Sequence, residues 1–132
     1  MRVSRSAAKA QRTPLRPRPL TRADVTIEVG HEPEDLPVRG NVLASGDETA
    51  DKLAEEETLA RINEGDEWAW CMVRVTVRWG DFNHTSVLGG CSYLNEKEFR
   101  ACPYFDDLVD EDLHELNAMI ARQFDEIRSL LP

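Results

Sequence analysis

Residues Trp68 to Trp79 read Trp-Ala-Trp-Cys-Met-Val-Arg-Val-Thr-Val-Arg-Trp, and no other run constrains the fold as strongly. The odd positions Ala69, Cys71, Val73, Val75, Val77 and Trp79 are apolar, while Arg74, Thr76 and Arg78 fall on the other side. Strict alternation with three valines predicts a long strand with one buried face. Such a strand needs neighbours and a cover, because even an isolated hairpin is marginal in water. The second face opens with Trp68, Trp70 and Met72 before the arginines, so its first half is also expected to be covered, by a helix or by a partner surface.

The rest of the chain supplies the covering elements. Gly80 to His84 reads as a turn and Thr85 to Tyr93 as a second strand, giving an antiparallel hairpin over about 68–93. Gly89-Gly90 inside that strand points to a bulge or a close backbone approach. Val25 to Val29 alternates as a short strand that Gly30 stops, and His31 to Gly46, with two prolines and two glycines, reads as an irregular connection. A helix is expected over Glu48 to Glu64, started by a Ser45/Glu48 capping box or by Asp47 and stopped at Gly65. A short helix over Glu96 to Ala101 is expected to close at Pro103.

A long helix follows, from about Asp106 to Leu130. Val109, Leu113, Leu116, Ile120, Phe124, Ile127 and Leu131 are spaced by 4, 3, 4, 4, 3 and 4, which is one continuous helical face. The fold class expected is α+β: an antiparallel sheet built on the hairpin, packed by the long C-terminal helix, with a shorter acidic helix before it.

Charge divides the 132 residues in two. The net −9 combines an arm over 1–24, with seven Lys and Arg against one acid (+6), and a remainder over 25–132 of −15. The arm carries Pro14, Pro17 and Pro19 and little aliphatic periodicity, so it is expected to be disordered when free. It has the Arg- and Ser-rich look of an organellar transit peptide but no apolar core of a secretory signal. A solvated tail, or a start placed too far upstream, is the plainer account. Nucleic acid is an expected partner only through this arm, whose cations could release counterions. The arm could equally fold back on its own acidic domain, here taken as the single unit 25–132.

Candidate chemistry is sparse. No apolar run approaches a membrane span. Three cysteines cannot all pair, and neither they nor the histidines show a metal-site spacing, so a reducing cytoplasm is expected and no metal. Without a Walker loop or a G-x-G-x-x-G, no nucleotide cofactor is implied. Cys91, beside Gly89-Gly90, is the most enzyme-like residue, with His84 or His114 as a base. Its plainer reading is a small buried strand residue near Cys71.

The acidic clusters are the stronger feature. Glu55 and Glu56 on the first helix, and Asp106, Asp107, Asp110, Glu111, Asp112 and Glu115 on the last, could imitate nucleic-acid phosphates and fill a partner's basic groove. Trp68 and Trp70 could add a hydrophobic anchor. Solvated helix faces, and a small second core around the tryptophans, are the plainer readings.

With these residues in view, Gly65-Asp66-Glu67-Trp68-Ala69-Trp70, the Val73/Val75/Val77 strand, Leu88-Gly89-Gly90-Cys91-Ser92-Tyr93, Glu98-Phe99 and Tyr104-Phe105-Asp106-Asp107 before an acidic helix resemble a group of small phage- and prophage-encoded proteins of unassigned function. Pro37-Val38-Arg39-Gly40-Asn41 and Ala44-Ser45-Gly46-Asp47 share in it, so the likeness runs from about Pro37 to Asn117 and leaves out the arm. The resemblance implies a phage or mobile-element setting in a bacterial cytoplasm and no catalytic residue. The expected function is a non-enzymatic accessory protein that binds a basic host or phage protein, one form being inhibition of a nucleic-acid-binding defence complex. A cysteine-dependent enzyme using Cys91, and a nucleic-acid-associated protein using the arm, are the alternatives.

Overall fold

The computed structural model describes residues 15–132, so residues 1–14 of the basic arm lie outside it. Three strands, β1 (Thr26–Pro33), β2 (Cys71–Trp79) and β3 (Phe82–Cys91), form an antiparallel sheet in the order β1-β2-β3. The alternating run is the central strand, and Val75 faces Val29 on one side and Ser86 on the other. It begins at Cys71, three residues later than the alternation predicts, because Trp68-Ala69-Trp70 lies in the turn leading into it.

Gly30 does not stop β1. It pairs with Arg74 in mid-strand, where extended pairing to a neighbour overrides the weak local preference of glycine. The tight turn Gly80-Asp81 uses Gly80 at φ +56°, a backbone conformation that other residues resist. Between the pairs Cys71/Cys91 and Val73/Leu88 the register slips by one residue, so β3 holds one extra residue at Gly89-Gly90. Gly90 has φ +64°, and a Cβ there would stand 3.5 Å from the Trp70 ring. Both the bulge and the close approach are present.

Three helices complete the fold: α1 (Glu48–Asn63), α2 (Glu96–Arg100) and α3 (Pro103–Arg128). Asp47 caps α1 by accepting from the Thr49 and Ala50 amides, while Ser45 turns instead to Asp51. Pro103 opens α3 rather than closing α2, since the first turn needs no donor from its nitrogen.

α3 lies across β2 and β3. Its Phe105, Val109 and Leu116 close over Cys71, Val73, Val75 and Val77, with Phe99 of α2 edge-on to Phe105 and Tyr93. The other face of the sheet is polar, with Arg78 paired to Glu28, Arg74 to Glu32, and the Thr76 and Thr85 hydroxyls 2.8 Å apart. α1 is tied down by polar contacts to loops, chiefly Arg61 donating to Ser92 Oγ (3.1 Å) and the Tyr93 carbonyl (2.6 Å). The fold is thus α+β as expected. Among the described residues, no helix is long and apolar enough to cross a membrane.

Where composition alone predicts a disordered arm as far as Asp24, residues 18–24 fold back on α3. Arg18 pairs with Asp24 at 2.8 Å, and a single 3-10 turn (Arg22–Asp24) leads into β1. The Asn117 side chain accepts from the Leu20 amide (2.7 Å) and donates to the Leu20 carbonyl (3.1 Å).

The burial of α3 gives an expected outcome for stability. Leu116→Ala empties a fully buried position and should cost about 2–5 kcal/mol in urea unfolding. Leu131, the last position of the predicted stripe, lies beyond the end of α3 at Arg128 and is 67% exposed. Leu131→Ala should therefore change stability by less than about 0.5 kcal/mol. Equal losses would mean that the stripe is buried along its full length.

Candidate functional site: the acidic face of the C-terminal helix

The acids that crowd the first half of α3 divide by their angular position. Asp106, Asp107, Asp110 and Glu111 are exposed, and Glu115 is half-buried. Asp112 is not on this face. It is completely buried, which removes it from the set of partner-contacting residues that the sequence suggests. The reason is its spacing, three residues after Val109 and four before Leu116, which puts it inside the apolar stripe.

Asp112 is held by two residues of β3. Its Oδ1 lies 2.7 Å from His84 Nδ1, and its Oδ2 accepts from Ser86 Oγ at 2.8 Å. Both partners point to the α3 side of the sheet, opposite Val77 and Val75. Burial pushes the Asp112 carboxyl above its ordinary pKa, and the hydrogen bonds from His84 and Ser86 oppose that shift. The Asp112 carboxyl stands between the two, accepting from Ser86 Oγ and sharing a hydrogen bond with His84 Nδ1. This differs from a hydrolase triad, in which the histidine is central.

On the outer face, Arg22 reaches α3. Its guanidinium donates to Asp106 Oδ1 (2.9 Å), to the Asp106 carbonyl (3.1 Å) and to Asp110 Oδ1 (3.1 Å). These bonds hold the Arg22 guanidinium above its usual pKa, with the Asp106 bond the largest cause. Among the described residues, Asp107 and Glu111 take no part in this ion pair. The helix therefore presents an arginine-binding pair beside exposed carboxylates.

The remaining candidates are placed differently from what the sequence suggests. Glu55 accepts from the Gly40 amide at 2.9 Å and pairs with Arg39 at 3.5 Å, so it fastens the 38–41 turn; of the two α1 candidates only Glu56 is exposed. Trp70 is not an exposed anchor. It is 7% exposed, donates to the Leu36 carbonyl at 2.7 Å, and covers Gly90. Trp68 is half-buried against the His31 ring, 4.7 Å between centroids. Trp68 packs on the main core, its ring 6.4 Å from that of Phe99, so it builds neither an exposed anchor nor a separate second core. Beside it an open cleft of about 540 Å³ is lined by Trp70, His31, Glu34, Asp66 and Glu67.

Cys91 is buried opposite Cys71, and burial pushes both thiols up to about 11, which disfavours the reactive thiolate. His84 lies seven residues away along β3 and is engaged by Asp112. At about 3.3 Å per residue, that separation is roughly 20 Å. His114 is exposed on α3. Among the described residues, no group of three His, Cys, Asp or Glu could hold a metal ion.

The sequence allows the arm to fold back on its acidic domain but does not single out Arg22 and Leu20, which reach α3 across 84 and 97 residues of chain. Sequence reasoning also missed Asn117 and Ser86. The position of Asp112 on the stripe was legible and was outweighed by its acidic neighbours. Comparison with protein-family models, with curated proteins and with solved structures finds no match to this chain.

Replacing Asp112 separates hydrogen bonding from charge. Asp112→Ala leaves the His84 and Ser86 groups without their partner in a buried contact and should cost about 3 kcal/mol or more. Asp112→Asn keeps a polar partner for both and should cost much less. A carboxyl with a raised folded pKa favours the fold fully below its unfolded pKa and loses that contribution as pH rises through the folded value. The stability of the natural chain relative to Asp112→Asn should therefore fall as pH rises from 3.8, the ordinary aspartate value, through the raised one. A relative stability that rises over this window would contradict the assignment.

Proposed function

We propose that the chain is a non-enzymatic binding protein that engages a basic protein partner through the outer face of α3. The observation that carries this reading is the Asp106/Asp110 pair closed on a guanidinium, beside the exposed carboxylates of Asp107 and Glu111. Carboxylates fixed on one helix bind an arginine with little loss of freedom, and electrostatic complementarity adds encounter rate and selectivity. The resemblance to phage and prophage proteins supplies the setting: a bacterial cytoplasm in which nucleic-acid-binding complexes, defence complexes among them, offer such basic grooves.

Neither alternative has a comparable observation behind it. The Cys91 thiol is buried and distant from His84. Of the arm's cations, Arg18 and Arg22 are engaged by acids of this chain, which opposes their use on nucleic acid.

The test is capture of a partner from bacterial lysate on the immobilised full chain. The expected partner is basic, is released as salt rises past the screening range, and binds about tenfold more weakly or worse to Asp107→Lys/Glu111→Lys. Both positions are exposed and outside the Arg22 contact, so the fold should be unaffected. A partner retained at high salt, or indifferent to the two reversals, would contradict the reading.

A further inference from the structure

The strap formed by residues 16–22 lies on α3 as a peptide ligand would. Its backbone is held at one point, Leu20, by both polar atoms of the Asn117 amide at 2.7 and 3.1 Å. Two residues on, the Arg22 guanidinium sits between Asp106 and Asp110. Asn117 is seven residues from Asp110, so the two anchor points lie on one side of α3, two turns apart. One amide that both donates to and accepts from a single residue reads the backbone there, and the half-buried Leu20 side chain packs against the core beneath it.

The strap does not fill its seat. Between Pro17, Pro19 and the helix a cavity of about 190 Å³ remains, floored by Ile120, Ala121 and Phe124. Leu15, the nearest apolar residue upstream, is 86% exposed and contributes nothing to it. A void over an apolar floor forfeits contacts that a better-fitting side chain would make. The side chains of Arg22, Asp106 and Asp110 are 41%, 60% and 69% exposed. Their ion pair is therefore weak by position.

We infer that the Asn117 and Asp106/Asp110 positions of α3 form a binding site for an arginine-bearing peptide segment, that the chain's own strap is its resident occupant, and that the partner displaces the strap. The inference rests on the proposed binding function and specifies the partner: a segment with an apolar residue at the backbone position read by Asn117, an arginine two residues on where the chain turns, and a further apolar side chain upstream for the Ile120/Phe124 floor. Displacement exchanges a tethered occupant that packs at Leu20 but leaves the groove empty under Pro17 and Pro19 for one that fills both places. Since the tethered strap acts at a high effective concentration, weak contacts are enough to keep it in place until then.

A synthetic peptide with the sequence of residues 15–24 is the ligand for the test, added to the full-length isotope-labelled chain while the Asn117 side-chain amide signals are followed. Arg22→Ala weakens the strap and leaves the site intact. That variant should bind the peptide about two- to fivefold more tightly than the natural chain, the factor set by one exposed ion pair. Replacing the arginine that corresponds to Arg22 in the peptide with citrulline, which is uncharged, should weaken binding to the Arg22→Ala chain by about the same two- to fivefold. Asn117→Ala, added to the Arg22→Ala chain, removes that reporter, so there the backbone amides of Ile120 and Phe124 are followed, and their response to the peptide should be lost. Equal affinity for the natural chain and Arg22→Ala, or no movement of the Asn117 signals at millimolar peptide, would overturn the inference. A hexa-arginine peptide in parallel separates the two levels: if it binds and shifts Asp107 and Glu111 without touching Asn117, the acidic-surface reading stands and the peptide site does not. If neither peptide binds, both fall.

Discussion

The buried carboxylate of Asp112 fixes how the rest of the molecule is arranged. A long amphipathic helix lying on a sheet is held against it by area, but its rotation about its own axis is set by whatever is specific at the contact. Valine and leucine side chains tolerate small rotations; a carboxylate with one oxygen on His84 and the other on Ser86 does not. An ionisable group placed fully inside an apolar stripe gains little net stability and is best understood as specifying one arrangement over its neighbours. Here the arrangement it specifies decides which acids face outward. A rotation of α3 by one residue, about 100°, would turn the exposed ladder toward the core.

The outer face then follows from geometry. Asp106, Asp110 and Asn117 come up on the side where the chain enters the domain, and the entering chain uses them. The charge imbalance between the basic arm and the acidic remainder is thus partly neutralised inside the fold by Arg22 on α3, while Arg18 pairs with Asp24 within the arm itself. The acids left exposed, Asp107 and Glu111 among them, carry the field that a basic partner would meet.

Much of this was legible in the sequence, and the misses have physical causes. The alternation of Cys71 to Trp79 and the 4-3-4 spacing from Val109 to Leu131 report local periodicity against a single large neighbour, which is what sequence pattern encodes best. Gly89-Gly90 announced its bulge because few other residues reach the backbone angles required. Gly30, Pro103 and the tryptophans were misread because the deciding partner is remote or positional: β2 for Gly30, the donor-free first turn for Pro103, and the Leu36 carbonyl with Gly90 for Trp70. Of the proposed acidic site, the helix and most of its outward carboxylates were readable. The inward turn of Asp112 required weighing its stripe position against the acids around it, and the docking of Arg22 and Leu20 is a contact between distant parts of the chain that no local pattern announces.

The most direct measurement is the titration of the Asp112 side-chain carboxyl carbon by NMR. A carboxyl buried under α3 should titrate above the ordinary aspartate range, with burial as the cause, and its transition should be accompanied by a response at His84. An Asp112 carboxyl that titrates in the ordinary range or below it, with His84 silent, would place the residue in solvent. The rotation of α3, and with it the acidic face proposed to bind the partner, would then be wrong.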